Sequence, residues 1–126
     1  RIRDWSSDVC SSDLFQFVIA NDIVDIVVSM RSLDLFIGLP YDVVMYSSIL
    51  ASFANELNLI ANEVIINASN AHIYEEHIDA ALVYTERKKN ELPKLLNAST
   101  FSNFKADELK ISEYKCNERI IVNVIK

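Results

Sequence analysis

The sequence predicts one domain, or a piece of one, that combines β-strands with α-helices. Two apolar, β-branched runs at 15–20 and 23–30 and a third at 63–69 predict strands. Between them, apolar residues recur at helical spacing from Tyr41 to about Asn58, which predicts an amphipathic helix. Its predicted buried face consists of Val44, Ile49, Phe53 and Leu57. With 126 residues, 51% of them hydrophobic and 24% charged, the chain has the composition of a globular protein.

The charge of the chain excludes several classes of function. A net charge of −6 and a pI near 4.8 leave no basic field that would attract a nucleic acid polymer or an anionic membrane.

No apolar run approaches the roughly 20 residues that a transmembrane helix needs, and no signal peptide is visible. We therefore expect a cytoplasmic protein, in the host cytoplasm if the source is a virus. A single nucleotide stays possible as a ligand, because a local arginine can bind phosphate inside an acidic protein.

The first fourteen residues do not resemble an element of a fold. The segment from Asp4 to Leu14 resembles the in-frame translation of a common sequencing-library adapter. We therefore predict that residues 1–14 are a non-native tail and that 15–126 are the native, N-terminally truncated domain. Cys10 lies in this tail, so Cys116 is the one cysteine of the predicted domain. One thiol gives neither a disulfide framework nor a metal-ligand spacing.

The first two apolar runs predict a β-hairpin that ends at Arg31. They read FQFVIA and IVDIVVSM, and the turn pair Asn21-Asp22 separates them. Both strands are too apolar to face water on either side. We therefore expect them inside a covered sheet or against a partner subunit.

A polar cluster follows the hairpin in the stretch RSLDLFIGLPYD. The planar guanidinium of Arg31 suits a phosphate group, and Ser32 adds a hydroxyl donor. Gly38 is the only glycine, which suggests a positive φ or a close approach to a ligand, although a simple strand-to-helix turn explains it as well. Asp42 would serve as the N-cap of the helix that follows.

A second polar motif, NAHIYEEH, follows the third strand at 70–77. Alternate spacing in an extended segment places His72 and Tyr74 on one face. A zinc site formed by His72 and His77 with Glu75 or Glu76 is a weak alternative, because the spacing is not HExxH. Beyond this motif the sequence predicts a helix over 75–89.

Taken together, LFQF before the hairpin, RSLDLFIGLP followed by an aromatic residue, and the HIY motif resemble the C-terminal portion of the thymidylate synthases. They also resemble the related deoxycytidylate (dCMP) hydroxymethylases. The resemblance implies an α+β fold of the thymidylate synthase type, with a large mixed sheet, packed helices and a homodimer. It also implies that the last strand of the family lies within 107–114. It also implies transfer of a one-carbon unit to dCMP or dUMP, with 5,10-methylenetetrahydrofolate as the co-substrate.

The same resemblance assigns the ligand contacts. The residues implied to bind the nucleotide are Arg31, Ser32, Asp34, Asp42, His72 and Tyr74. The residues implied to bind the folate are Asp34, Ile37, Gly38 and Tyr41. In this assignment Arg31 and Ser32 hold the 5′-phosphate, and His72 and Tyr74 hold the 3′-hydroxyl of the deoxyribose.

Asp42 distinguishes the two activities. Thymidylate synthases normally carry asparagine at this position, and its amide donates to the uracil carbonyl oxygen and accepts from the adjacent ring N–H. A carboxyl group can instead accept from the amino group of cytosine while sharing a proton with the neighbouring ring nitrogen. Met30, where the synthases usually carry glutamine, favours the same choice. The sequence thus predicts a dCMP 5-hydroxymethylase, with thymidylate synthase or a catalytically inactive binding module as alternatives.

No catalytic residue is assigned within the chain. In the family the nucleophilic cysteine lies a few residues before the LFQF-like strand, in a Pro-Cys-His context. Cys10 lies close to that place, but its neighbours are Val9 and Ser11 and its offset is one residue too long. We therefore expect this fragment to be inactive.

Overall fold

A three-stranded sheet packed on one long helix forms the centre of the computed structural model, which describes residues 14–97 and 99–123. The strands are β1 (Leu14–Ala20), β2 (Ile23–Met30), β3 (Leu33–Asp34), β4 (Ile60–Ala68), β5 (Ala71–His72), β6 (Leu95–Asn97) and β7 (Lys110–Ile111). The helices are α1 (Gly38–Leu57) and α2 (Ile78–Thr85). Single 3₁₀ turns lie at Glu75–His77, Phe101–Asn103 and Ala106–Glu108.

The predicted hairpin is confirmed. β1 and β2 pair in antiparallel register from Leu14 opposite Ser29 to Ala20 opposite Ile23. The turn residues Asn21 and Asp22 have φ values of 49° and 65°. Two consecutive positive φ values are what a tight two-residue hairpin turn needs, and Asn and Asp tolerate them better than most residues. The strand begins at Leu14, one residue before the predicted start of the native domain.

β2 forms the middle of the sheet, because β4 pairs with its other edge in parallel. The register runs from Ile23 opposite Ile60 to Met30 opposite Ala68, with an irregularity between Val24 and Ile26. At this irregularity the Oδ1 atom of Asp25 accepts hydrogen bonds from the Glu63 backbone N–H at 3.0 Å and from Asn62 Nδ2 at 2.8 Å. The Asp25 side chain therefore provides an acceptor for the Glu63 backbone N–H at the bulge.

The core lies between one face of the sheet and α1. Alternate residues of β2 are buried there, as period-two patterning requires. The buried apolar residues are Val24, Ile26, Val28, Met30, Leu33, Tyr46, Leu50 and Ala54. The opposite face of the sheet is open within the described residues, and Leu14 on β1 is 67% exposed. Within the described residues this face is not covered, so of the two predicted alternatives only a partner subunit would cover it, and that alternative stays a prediction.

α1 begins three residues earlier than predicted and uses a different buried stripe. It ends at Leu57, and Asn58 follows in the left-handed region with a φ of 54°, as a C-terminal cap. The predicted buried residues were Val44, Ile49, Phe53 and Leu57, but the fully buried apolar ones are Tyr46, Leu50 and Ala54. Val44 is 66% exposed. The helix carries two apolar stripes, and spacing alone does not decide which of them meets the sheet.

The chain after β5 contains little regular structure. The predicted helix over 75–89 is a 3₁₀ turn followed by α2, which ends at Thr85. The predicted last strand is reduced to the two residues of β7, which pair with β6. Neither α1 nor α2, the helices of the described segments, is long and apolar enough to cross a membrane.

Candidate functional site

The two polar motifs meet where β2 and β4 end. Because these strands are parallel, their carboxyl ends lie at one edge of the sheet, which is a common place for ligand sites in such sheets. Ser69 N–H donates to the Met30 carbonyl at 3.0 Å, and Leu33 N–H donates to the Asn70 carbonyl at 2.9 Å. The chain segments then continue side by side as β3 and β5.

The pairing of β3 with β5 places the two motifs directly against each other. Leu33 lies opposite Ala71, and Asp34 lies opposite His72, in parallel register. Leu35 N–H extends the pairing by donating to the His72 carbonyl at 2.9 Å. Residues almost forty positions apart in the sequence are thus neighbours in space.

Arg31 and Ser32 occupy the link between β2 and β3. Arg31 is half-buried and Ser32 is exposed. Both residues therefore lie at the strand edge where the two motifs meet, as the sequence predicts for a phosphate contact.

His72 and Tyr74 lie on the same face, as their spacing predicts. Their ring centroids are 5.0 Å apart, and the rings meet edge to face at 85°. His72 Nδ1 lies 3.3 Å from the carbonyl oxygen of Asn70, which can only accept, so a hydrogen bond there makes Nδ1 the donor. The backbone of the preceding loop thus orients the imidazole.

Asp34 has a structural contact that the sequence analysis missed. Its Oδ1 atom accepts hydrogen bonds from the Phe36 N–H at 2.9 Å and the Ile37 N–H at 3.3 Å. This is an Asx-type turn that leads the chain from β3 into α1. The signal was present in the sequence, since an Asp three or four residues before a helix favours such a turn. One carboxylate oxygen is thus engaged with the backbone at the predicted ligand site.

Gly38 is the first residue of α1 and lies between two aspartates. A Cβ atom added to it would lie 3.5 Å from the Cβ of Asp34 and 3.8 Å from Oδ2 of Asp42. The prediction of a positive φ at Gly38 is wrong, because no glycine in the described residues has one. The simpler alternative, a strand-to-helix turn, describes its backbone.

Asp42 does not cap the helix. The N-cap position belongs to Ile37, and Asp42 is the fifth residue of α1. The cap interpretation fails because the Asx turn at Asp34 starts the helix earlier. Side chains on a helix lean toward its N-terminus, and the Asp42 carboxylate accordingly points back to Gly38, near Asp34. The half-buried carboxylate thus lies among the predicted ligand contacts.

The residues predicted to hold the folate surround the start of α1. Ile37 and Gly38 are half-buried, whereas the ring of Tyr41 is 75% exposed. An aromatic ring, an apolar side chain and a carboxylate are the kinds of group that bind a flat heteroaromatic ring with N–H donors. The folate contacts stay a prediction.

The remaining candidates from the sequence are the weak zinc ligands and the two cysteines. No group of three His, Cys, Asp or Glu residues that could hold a metal ion is present in 14–97 and 99–123. His77, one of the weak zinc candidates, is buried and bonded to the carbonyl oxygen of Asn123. Cys10 lies outside the described residues, and Cys116 is an exposed free thiol in the C-terminal segment.

Comparison with known proteins establishes the family. The thymidylate synthase family profile matches residues 8–126. The chain belongs to the thymidylate synthase family. A thymidylate synthase of Coxiella burnetii is 31% identical over 110 residues, which are 87% of this chain and 39% of the relative. The thymidylate synthase of Saimiriine herpesvirus 2 is 32% identical over 104 residues, or 80% of this chain and 35% of the relative.

A solved structure confirms the predicted fold. The thermostable thymidylate synthase A from Bacillus subtilis superposes with a TM-score of 0.79 at 26% identity, over 87% of this chain and 41% of that one. The chain therefore has the thymidylate synthase α+β fold and spans about two fifths of the length of these family members. The matched range begins at residue 8, inside the predicted tail, and the tail boundary stays a prediction.

The names of the relatives bear on the predicted activity. Both relatives described above are thymidylate synthases. They support the general prediction of a folate-dependent one-carbon transferase. They favour thymidylate synthase, the alternative of the sequence analysis, over its first choice of dCMP hydroxymethylase.

Proposed function

We propose that the chain is the nucleotide-binding part of an enzyme that transfers a one-carbon unit from methylenetetrahydrofolate to ring carbon 5 of dUMP. The pairing of Asp34 with His72 is the observation that carries this proposal. This pairing brings three groups of side chains to one edge of the sheet. They are the arginine and serine at the end of β2, the pair His72 and Tyr74, and the carboxylates of Asp34 and Asp42. A nucleoside monophosphate needs these three kinds of contact, for its phosphate, its sugar and its base.

Each group has a role that its chemistry suits. Arg31 binds the 5′-phosphate through paired charge-assisted hydrogen bonds, and Ser32 adds a hydroxyl donor. His72 and Tyr74 bind the 3′-hydroxyl from one side. Asp34 contributes to both the nucleotide and the folate contacts while its Oδ1 atom holds the turn before α1.

The co-substrate contacts are Asp34, Ile37, Gly38 and Tyr41. When bound, methylenetetrahydrofolate supplies the one-carbon unit. The chain's own residues orient it, with Tyr41 and Ile37 offering apolar surface and Asp34 a carboxylate. The nucleophilic cysteine is not among the chain's assigned residues, so we expect this chain to bind ligands without turnover.

A dCMP hydroxymethylase is the second candidate, and Asp42 favours it. Its carboxylate lies near Gly38 and Asp34, among the proposed ligand contacts, and Ile37, not Asp42, is the N-cap of α1. A carboxyl group matches the hydrogen-bonding edge of cytosine better than that of uracil. A mismatch at a buried polar edge costs about 1–3 kcal/mol, which is roughly a 5- to 150-fold change in affinity.

A second copy of the chain is the partner that we propose. The face of the sheet opposite α1 carries apolar side chains that the described residues leave exposed: Leu14, Val18, Ile23 and Ile65. An open apolar sheet face supports association with another sheet. A cytoplasmic location stays a prediction from the sequence.

Binding of dUMP and dCMP, measured by isothermal titration calorimetry, tests this proposal. Arg31→Ala should weaken binding of either nucleotide by about 10- to 100-fold, because charge-assisted hydrogen bonds are each worth about 1.5–3 kcal/mol. Arg87→Ala is the matched control, since Arg87 is also half-buried but lies after α2. Equal losses in the two variants would contradict the phosphate role of Arg31.

The base preference is tested with the same titration. The relatives predict that dUMP binds more tightly than dCMP, whereas a carboxylate that reads cytosine predicts the reverse. In that second case Asp42→Asn should shift the preference toward dUMP by about 1–3 kcal/mol. Tighter binding of dCMP to the unmodified chain would replace the first candidate with the second.

A further inference from the structure

His77 occupies a buried position directly behind the proposed sugar contacts. It is 2% exposed and ends the 3₁₀ turn that follows Tyr74. The ring centroids of Tyr74 and Phe36 each lie 5.9 Å from the centroid of its imidazole. His77 therefore packs against one of the residues proposed to hold the deoxyribose.

The imidazole reaches across 46 positions to the C-terminal segment. Its Nε2 atom lies 2.8 Å from the backbone carbonyl oxygen of Asn123. A carbonyl oxygen only accepts, so Nε2 carries the proton and donates it. In the neutral ring Nδ1 is then an acceptor, and it is buried with no hydrogen-bond partner in the described part of the chain.

Among the described residues, the segment that His77 contacts forms few other side-chain hydrogen bonds. Residues 113–123 contain no helix or strand, and most of their side chains are exposed. One further side-chain hydrogen bond in this segment joins Asn117 Nδ2 to the Lys88 carbonyl at 3.1 Å. A segment without regular secondary structure is held in position by the few contacts that it makes with the rest of the protein.

We propose that His77 is a positioning residue that anchors the C-terminal segment at Asn123 to the His72–Tyr74 pair. The imidazole contacts the Tyr74 ring on one side and the tail backbone on the other, so both are held by one buried side chain. The tail is thereby placed beside the ligand contacts. This inference rests on the proposed function only in naming those contacts, because the anchor itself needs no ligand.

Limited trypsin digestion of the 126-residue chain tests the anchor. Trypsin cleaves after Arg119, which is exposed and lies four residues before Asn123. His77→Phe keeps an aromatic ring but removes the Nε2 donor, and it should raise the cleavage rate after Arg119 by about fivefold, the effect of losing one ordinary hydrogen bond. His77→Gln can still donate from a similar position and should restore most of the protection.

Two controls separate the anchor from general unfolding. Cleavage after Lys105, outside the tail, should not change in either His77 variant, and an increase there would report loss of the fold. Asn117→Ala removes the hydrogen bond to the Lys88 carbonyl and should raise cleavage after Arg119 without changing the hydrogen bond of His77. Equal cleavage after Arg119 in the unmodified chain and His77→Phe, with Lys105 unaffected, would overturn the proposal.

A nitrogen-15 NMR measurement on the unmodified chain needs no variant. The proposal predicts a His77 ring that carries a slowly exchanging proton at Nε2. A ring protonated at Nδ1 alone would overturn it, because Nε2 could not then donate to Asn123. No nucleotide is present in either assay, so a failure to bind dUMP would refute the proposed function and leave the anchor intact.

Discussion

Two serines of α1 provide a matched test of how the core supports the site. Ser52 is 0% exposed, and its hydroxyl has no hydrogen-bond partner among the described residues. Ser48 is 7% exposed, and its hydroxyl donates to the Val44 carbonyl at 2.8 Å. Both residues lie on the helix that carries Gly38 and Asp42. The same substitution at the two positions should therefore change stability in opposite directions.

The magnitudes follow from what each hydroxyl contacts. Replacing serine with alanine inside a helix gains about 0.5 kcal/mol of helix propensity at either site. At Ser52 the change also removes a buried unsatisfied hydroxyl, which relieves about 1–3 kcal/mol. At Ser48 it removes one hydrogen bond worth about 1 kcal/mol. We expect Ser52→Ala to stabilise the chain by about 1.5–3.5 kcal/mol and Ser48→Ala to destabilise it by about 0.5 kcal/mol.

Urea denaturation followed by circular dichroism measures both free energies of unfolding. The difference between the two variants should be about 2–4 kcal/mol, with Ser52→Ala the more stable. Equal shifts would show that the Ser52 hydroxyl is satisfied in solution. A destabilised Ser52→Ala would refute the reasoning about the core, because it would mean that the hydroxyl contributes to packing.

Two further predictions concern carboxylates around α1. Glu56 accepts hydrogen bonds from the hydroxyl and backbone N–H of Ser102, and these contacts lower the pKa of the Glu56 carboxyl below its ordinary value of 4.5. A pKa lowered by folding gives stability that is present above the unfolded-state pKa and is lost as the pH falls through the folded-state pKa. Glu56→Gln should therefore reduce the loss of stability that urea denaturation measures as the pH falls below the ordinary carboxyl pKa of 4.5. An unchanged pH profile would contradict the role of the Ser102 contacts. Asp34→Ala should lower the melting temperature because the N–H groups of Phe36 and Ile37 lose their acceptor, whereas Asp34→Asn keeps an oxygen there and should lower it less. Equal losses in a thermal melt would contradict the turn-holding role of Asp34.

Local sequence signals predicted the hairpin and the end of α1. Asn21, Asp22 and Asn58 are the three residues outside glycine with a positive φ in the described segments, and each is a type that tolerates this conformation. The predicted start of α1 is three residues too late, because the prediction relies on Asp42 as the helix cap and does not use the turn that Asp34 forms before the helix. Both are aspartates near the helix start, and the backbone hydrogen bonds of Asp34 decide between them.

The meeting of the two motifs could not be derived from local pattern. β3 and β5 have two residues each, and such short pairs have no periodicity that a sequence reveals. Only the resemblance to a family placed Arg31 and His72 at one site. The His77 contact with Asn123 joins residues 46 positions apart and leaves no local trace in the sequence.

Tritium release from ring carbon 5 of the pyrimidine tests the central claim most directly. The assay would use a protein in which residues 15–126 are joined to the N-terminal portion that the longer family members possess, with methylenetetrahydrofolate and either labelled dUMP or labelled dCMP. We predict release from dUMP, and the Arg31→Ala variant should lose it. Release from dCMP alone would establish the hydroxymethylase as the activity and Asp42 as the residue that selects cytosine. Release from neither nucleotide, by a folded protein that carries the family's cysteine, would contradict the proposal that this chain serves one-carbon transfer.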